Sequence, residues 1–235
     1  MSRPINPNKI VIFTGAGISA ESGIMTFRDK DGHWAKMDPM KVVSTEAWDS
    51  NPQALIDFHN ARLATIEKAQ PNAAHLALRD LEEKYEVIVV TQNVDDLHER
   101  AGSSRILHLH GIVTEVFPDG CRERAVYRGY EPLSLEEKDP YGRPFRPNTV
   151  LFGEQILHCE EAIEAISDAG KILVVGTSLA VYPAAGLLNK ASFHAEKIIV
   201  SHEVESVPYG YEFIRGDATV QVPFLVRKWL SEAKR

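Results

Sequence analysis

Ile10-Val11-Ile12-Phe13-Thr14-Gly15-Ala16-Gly17-Ile18-Ser19-Ala20 is the stretch that decides the fold of this 235-residue chain. Its first half is apolar, β-rich, too short for an ordinary helix, and ends on glycines, so it reads as a buried strand. Its second half fits G-x-G-x-x-G/A at a strand-to-helix turn. Glycine there lets the backbone approach a pyrophosphate, and a following helix start offers free N–H groups and a positive dipole end. Alone, the pattern is served equally by a tight turn that needs glycine. Outward from it, similar runs recur at Val87–Thr91, Ile172–Val175 and Ile198–Val200. Helical patterns lie between them: Asn72–Lys84, with Ala73, Leu76, Ala77 and Leu81 on one face, then His158–Ala169 and Pro183–Ala195. Continuous apolar strands alternating with helices imply an α/β protein whose parallel sheet is covered on both sides.

Two stretches break the alternation. Residues from about Asp38 to Pro71 read as helical with no strand between, and those from about Ile112 to Asn148 are rich in charge, glycine and proline. A structureless loop that long does not suit a compact domain, so the two are expected to pack together as a small lobe beside the sheet. Phe117, Tyr127, Tyr130, Leu133 and Leu135 are candidates for its packing.

Hydrophobic residues at 44% and charged residues at 25% are the mixture of a soluble globular protein able to bury a sizeable core unaided. The formal net charge of -7 argues against a nucleic-acid surface, which normally carries a basic excess, and reads as an aid to solubility. Cys121 and Cys159 cannot build a disulfide framework, so a reducing cytoplasm is expected. No stretch is long and apolar enough to span a bilayer, and the N-terminal residues show no secretory pattern, so no membrane association is expected.

Candidate chemistry clusters at strand ends. After the glycines, Ser22 to Asp29 and Gly32-His33-Trp34 read as a loop closing over a cofactor, with Arg28 neutralising phosphate and Phe27 walling one side. Taken alone, an exposed arginine and a core phenylalanine weigh more. Gln92, Asn93 and Asp95 follow a strand and are placed to bond a carboxamide or ribose, although Asn93 or Asp95 could equally cap the next helix. In Leu107-His108-Leu109-His110-Gly111, the two histidines share a strand face, with His110 at the strand end. An imidazole at the mouth of a nucleotide cleft suits a general base, because its ordinary pKa lies near neutral.

GAGIS, ESGIMTFRDKDGHW, TQNVDDLHERAG, HLHG, RPNTVLFGE and GTSLAVYPAA stand in the order and rough spacing of the sirtuins, over about residues 8–220. The chain resembles the short bacterial protein deacylases of that family. The resemblance implies a Rossmann-like, doubly wound parallel sheet with a small lobe formed from two insertions. The large lobe would take about residues 1–37, 72–111 and 149–235, and the small lobe about 38–71 and 112–148. It implies NAD as a consumed co-substrate and acylated lysine side chains as substrate. His110 would be the base, with Asn93 and Asp95 beside it. Implied NAD contacts are Gly15, Ala16, Gly17, Ser19, Ala20, Thr26, Phe27, Arg28, Trp34, Gln92, Asn93, Val94, Asp95, His110, Gly176, Thr177 and Ser178. Softer ones are Ser201, where the family usually has asparagine, Glu203 and Ala218. Val150, Phe152, Gly153 and Glu154 would offer an edge strand to the substrate peptide. NAD hydrolysis or protein mono-ADP-ribosylation is the alternative activity the same pocket implies.

Two departures from the family matter most. Its members commonly hold zinc with four cysteines, but here the region contains only Cys121, and the second pair aligns with Asp139-Pro140-Tyr141-Gly142. One cysteine cannot supply a tetrahedral site, so no zinc is expected. Family members that remove succinyl or malonyl groups carry Tyr-x-x-Arg in the acyl pocket. This chain has His59-Asn60-Ala61-Arg62, whose first and last residues share a helix face and can converge on one carboxylate. An ordinary surface arginine beside a polar histidine is the competing reading. Cys159 reads as packing on a helix.

Overall fold

The computed structural model describes residues 4–26 and 38–233. Six parallel strands form the main sheet in the order β3-β2-β1-β7-β8-β9: β1 (Asn6–Thr14), β2 (Glu86–Thr91), β3 (Ile106–His108), β7 (Ala169–Val175), β8 (Glu196–Ser201) and β9 (Glu212–Arg215). The chain winds outward one way from β1 and then the other from β7, so a crevice opens between the carboxyl ends of those two strands, where ligands of such sheets bind. Strand β1 shows why the sheet is doubly covered. Ile10 and Ile12 enter a core with α3 (Ala73–Asp80) and α6 (Ala218–Glu232), while Val11 and Phe13 enter another with α5 (Cys159–Asp168). All four are fully buried.

The helix at Asn72 begins with a capping box, in which the Asn72 side chain accepts from Ala74 N–H and His75 Nδ1 accepts from Asn72 N–H. That turns His75 inward, and the buried face becomes Ala74, Ala77, Leu78 and Leu81. The expected face therefore shifts, leaving Leu76 45% exposed and Ala73 exposed. The pattern at Pro183–Ala195 forms only a 3-10 turn, Ala184–Lys190.

Residues 45–68 are helical, as α1 (Thr45–Ser50) and α2 (Pro52–Lys68). The charged stretch after Ile112 is no loop. It contributes most of an antiparallel sheet, β5-β4-β6, from β4 (Gly111–Pro118), β5 (Val126–Tyr127) and β6 (Phe145–Thr149). Phe117 and Leu133 are buried, and Leu135 packs beside Trp48, Leu55, Ile56 and Val116. Tyr130 joins the neighbouring cluster of Leu63, Ile66 and Val94, together with Leu97 of α4 (Leu97–Ala101). Tyr127, expected in the packing, is 74% exposed, because β5 lies at the sheet's edge.

Candidate active site

The glycine loop is built by close approach. Gly15 N–H donates to Val175 O at 3.0 Å and Gly17 N–H to Gly176 O at 2.7 Å. Gly15 is extended (φ -131, ψ -176), so no turn demands it. A Cβ there would lie 2.7 Å from Thr177 Cβ, and one on Gly17 2.7 Å from Gly176 Cα. These glycines interlock the loops that end β1 and β7, which replaces the tight-turn reading. Two short 3-10 turns follow, Ala16–Ile18 and Ala20–Ser22, in place of a full helix. The cradle offers turn amides where a helix dipole would otherwise point.

Asn93, Ser19 and Asp95 form one chain of bonds. Asn93 Nδ2 donates to Ser19 Oγ at 3.2 Å, and Ser19 Oγ donates to Asp95 Oδ2 at 3.1 Å. Asp95 Oδ1 also accepts from Leu97 N–H at 3.2 Å, so it steadies the start of α4 as well. Burial raises its carboxyl, opposed by Leu97 N–H, Ser19 and the Arg62 charge. Ser19 and Asp95 are buried behind the cleft wall and support Asn93, which lines it.

The two histidines of the His108-Leu109-His110 run reach neighbouring carbonyls of the same loop. His110 Nδ1 lies 2.9 Å from Gln92 O, and His108 Nδ1 3.0 Å from Asn93 O. A carbonyl only accepts, so both Nδ1 atoms carry protons. His108 Nε2 lies 2.7 Å from Glu99 Oε1, and that carboxylate pulls its pKa upward against burial. His110 has no such partner. Burial lowers its pKa, the Gln92 carbonyl opposes this, and the Arg62 charge lowers it further. The His110 ring is therefore neutral near pH 7, with Nε2 as a bare acceptor on the cleft.

That cleft has a volume of about 830 Å³. It brings together Gly15, Ala16, Gly17, Ala20, Thr26, Gln92, Asn93, Val94, His110, Gly176, Thr177 and Ser178. Ser201, Glu203 and Ala218 line it at one side, and His59, Arg62, Val150, Phe152, Gly153 and Glu154 at the other. Phe27, Arg28 and Trp34 lie outside the described residues. Phe58, Val113, Ile156 and Arg215 also line it, and the sequence reading missed them. Phe58 adjoins His59 and could have been found from that helix, whereas Arg215 reaches the site only through the pairing of β8 with β9. His59 is buried, and burial followed by the charges of Arg62 and Arg128 lowers its pKa to about 4. It is a neutral partner beside Arg62, whose own pKa burial lowers and Asp95 supports.

The edge strand expected at Val150–Glu154 does not form. Strand β6 ends at Thr149, and Phe152 is engaged on both sides, its N–H donating to Val43 O and its C=O accepting from Thr45 N–H. Val150 N–H is taken by His110 O, and Leu151 N–H by the Glu154 carboxylate. Few main-chain groups of this segment remain for an added strand.

No group of three or more His, Cys, Asp or Glu side chains able to hold a metal occurs among the described residues. Where the resemblance implies zinc, Asp139 accepts from Arg143 Nη2 at 2.6 Å and Nε at 3.0 Å, and Arg143 Nη1 lies 2.6 Å from Cys121 Sγ. The Tyr141 and Arg143 N–H groups bond the same carboxylate, and its pKa falls to about 2, chiefly through the Arg143 side chain.

A doubly wound sheet, a glycine cradle at its reversal point and a neutral imidazole on the same cleft define a nucleotide-dependent α/β enzyme. The profile of the Sir2 family matches residues 15–183, and the chain belongs to that family. It is similar to the NAD-dependent protein deacylase of Helicobacter pylori (strain ATCC 700392 / 26695), 48% identical over 190 residues, 81% of this chain and 82% of the relative. The Escherichia coli (strain K12) NAD-dependent protein deacylase is 38% identical over 236 residues, 96% of this chain and 84% of the relative. Among solved structures, a Sir2 homologue in complex with NAD superposes with a TM-score of 0.84 at 34% identity, covering 96% of this chain and 91% of that one. A mutant Sir2 homologue bound to ADP-ribose gives 0.88 at 35% identity, covering 97% and 95%.

Proposed function

We propose that this chain is an NAD-dependent protein lysine deacylase in which His110 is the general base. The observation that carries this is the His110 ring itself, fixed through Nδ1 by Gln92 O, lowered in pKa, and opening Nε2 onto the glycine-lined cleft. The loops support a nucleotide by shape, since any side chain at Gly15, Gly17 or Gly176 would collide with backbone or with Thr177. When bound, NAD supplies an electrophilic ribose carbon and an acceptor for the acyl group. The protein's part is to orient and dehydrate. Asn93 and its supports hold the sugar, and His110 Nε2 takes a ribose hydroxyl proton, freeing that oxygen to receive the acyl group. Water, acyl-lysine and NAD become lysine, nicotinamide and acyl-ADP-ribose.

In this reading the large lobe (about 1–37, 72–111 and 149–235) carries the nucleotide, and the small lobe (about 38–71 and 112–148) carries the acyl pocket. Arg62, with neutral His59, favours acyl chains ending in a carboxylate, so succinyl and malonyl groups are substrates beside acetyl. We place the protein in the cytoplasm. No described helix is long and apolar enough to cross a membrane, and the net charge of -7 argues against nucleic acid as a partner.

The test is mass spectrometry of acetyl-, succinyl- and malonyl-lysine peptides with and without NAD. Deacylation is expected only with NAD, with nicotinamide and acyl-ADP-ribose formed in equal amounts, and a loss on the order of a hundred-fold or more in His110→Tyr. Nicotinamide released at full rate without peptide would point instead to NAD hydrolysis.

A further inference from the structure

Asn93 is gripped by more than its neighbours on the cleft. Its N–H donates to Thr91 Oγ1 at 3.0 Å, and Thr91 Oγ1 accepts from Thr14 Oγ1 at 2.8 Å. Thr14 Oγ1 also lies 3.1 Å from His98 Nε2, a hydrogen-bond contact that ties the ring to the two threonines. His98 thus stands at the head of a relay, His98 to Thr14 to Thr91, ending on the backbone of Asn93. The ring is fully buried, as is that of His75, whose centroid lies 5.0 Å away at an interplanar angle of 64°. His75 Nδ1 accepts from Asn72 N–H, and the Asn72 side chain donates to Ile18 O at 2.8 Å and Ser22 Oγ at 3.0 Å, gripping the glycine loop. One imidazole therefore reaches each of the two loops that line the nucleotide cleft. Each keeps one ring nitrogen unpartnered, His75 Nε2 and His98 Nδ1. Burial pushes both pKa values down, His75 to about 4, so neither ring is charged at neutral pH.

We infer that His98, supported by His75, is a positioning residue for the reaction. Through Thr14 and Thr91 it fixes the plane of Asn93, whose Nδ2 is committed to Ser19, so that Oδ1 faces the ligand. Neither histidine lines the cleft, so neither touches substrate. The inference rests on the deacylase reading for its kinetic consequence but not for its geometry, and the test separates the two.

The test compares His98→Phe, which keeps the ring shape without the polar nitrogens, His98→Gln, which restores a hydrogen-bonding group, and Thr14→Val. Hydrogen–deuterium exchange over residues 91–97 should rise about ten-fold or more in His98→Phe and return toward wild type in His98→Gln, whatever reaction the chain performs. With NAD and an acetyl-lysine peptide, His98→Phe should lose about ten-fold in kcat with KM for NAD changed less than three-fold. Thr14→Val should lose as much, and the double variant no more than either, because members of one relay do not add. Equal kcat losses in His98→Phe and His98→Gln, tracking the loss of folded protein in thermal melts, would overturn the inference, as would unchanged exchange in His98→Phe. If wild type shows no NAD-dependent deacylation, the functional reading fails while the exchange result still decides this one.

Discussion

At the scale of the residue, the site turns on what one cation does to two neighbours. Burial lowers the pKa of both His110 and His59, Arg62 lowers both further, and Asp95 partly answers its charge. A general base works deprotonated, so the acid limb of kcat/KM should fall below the ordinary histidine value of 6.5. Arg62→Met removes the smaller contribution, leaving burial to hold the limb down, so with an acetyl-lysine peptide the limb should move modestly to higher pH. The same change should cost desuccinylation at least ten-fold more than deacetylation, since a charge-assisted bond of roughly 1.5–3 kcal/mol goes with it. pH profiles with both peptides check this. Equal losses on both peptides, with the limb unmoved, would show that Arg62 neither reads an acid nor tunes the base. The histidines at 108 and 110 were legible as a pair, but not as one strand face: β3 ends at His108, and His110 stands in the turn before β4, where the Gln92 carbonyl orients it. The inward turn of His75 was not legible, because it depends on a capping box that only the three-dimensional helix start reveals.

At the scale of the element, the glycine loop is a joint between two strands. Gly17→Ala would set a Cβ against Gly176 Cα at 2.7 Å and Gly176 O at 2.8 Å, backbone that cannot swing aside as a side chain would. The variant should lose about 1–3 kcal/mol, the usual cost of overpacking, and should weaken NAD binding because both loops shift together. Urea titration and calorimetry with NAD check it; unchanged values for both would mean that the loops have slack. Four strands of the main sheet were readable because burial on both faces leaves unbroken apolar runs. The small sheet was not, since β6 carries Arg146 and Asn148 inward at 5% and 7% exposure, polar residues that partner choice makes tolerable. Arg146 bonds Glu154 at 3.0 Å, and Asn148 bonds Glu115 at 2.7 Å and accepts from Arg122 at 2.7 Å. Helix α6 escaped notice because Pro223 interrupts its pattern and Val220 and Phe224 face solvent.

At the scale of the whole molecule, a small antiparallel sheet must stay rigid beside the cleft, and the Asp139–Arg143–Cys121 clasp supplies a cross-link in the region where the sequence resemblance implied a metal. Asp139 receives three side-chain and backbone donors from Arg143, one more from Tyr141 N–H, and an ion pair from Arg124 at 3.4 Å. Its carboxyl is held at about 2, below the value near 4 of an unfolded chain. A group depressed on folding stabilises above its unfolded pKa, and that contribution is lost as pH falls through the folded value. Asp139→Asn should therefore melt below wild type at pH 7, and the gap should close as pH drops from about 4 toward 2. A chelator should leave the wild-type melt where it is, because the donors in this clasp are guanidinium and amide groups that need no metal between them. Thermal melts of both proteins across that range, with and without chelator, decide it. A gap that persists at the acid end would mean that Asp139 acts through packing, and a wild-type melt lowered by chelator would mean that a metal, and not this clasp, holds the lobe.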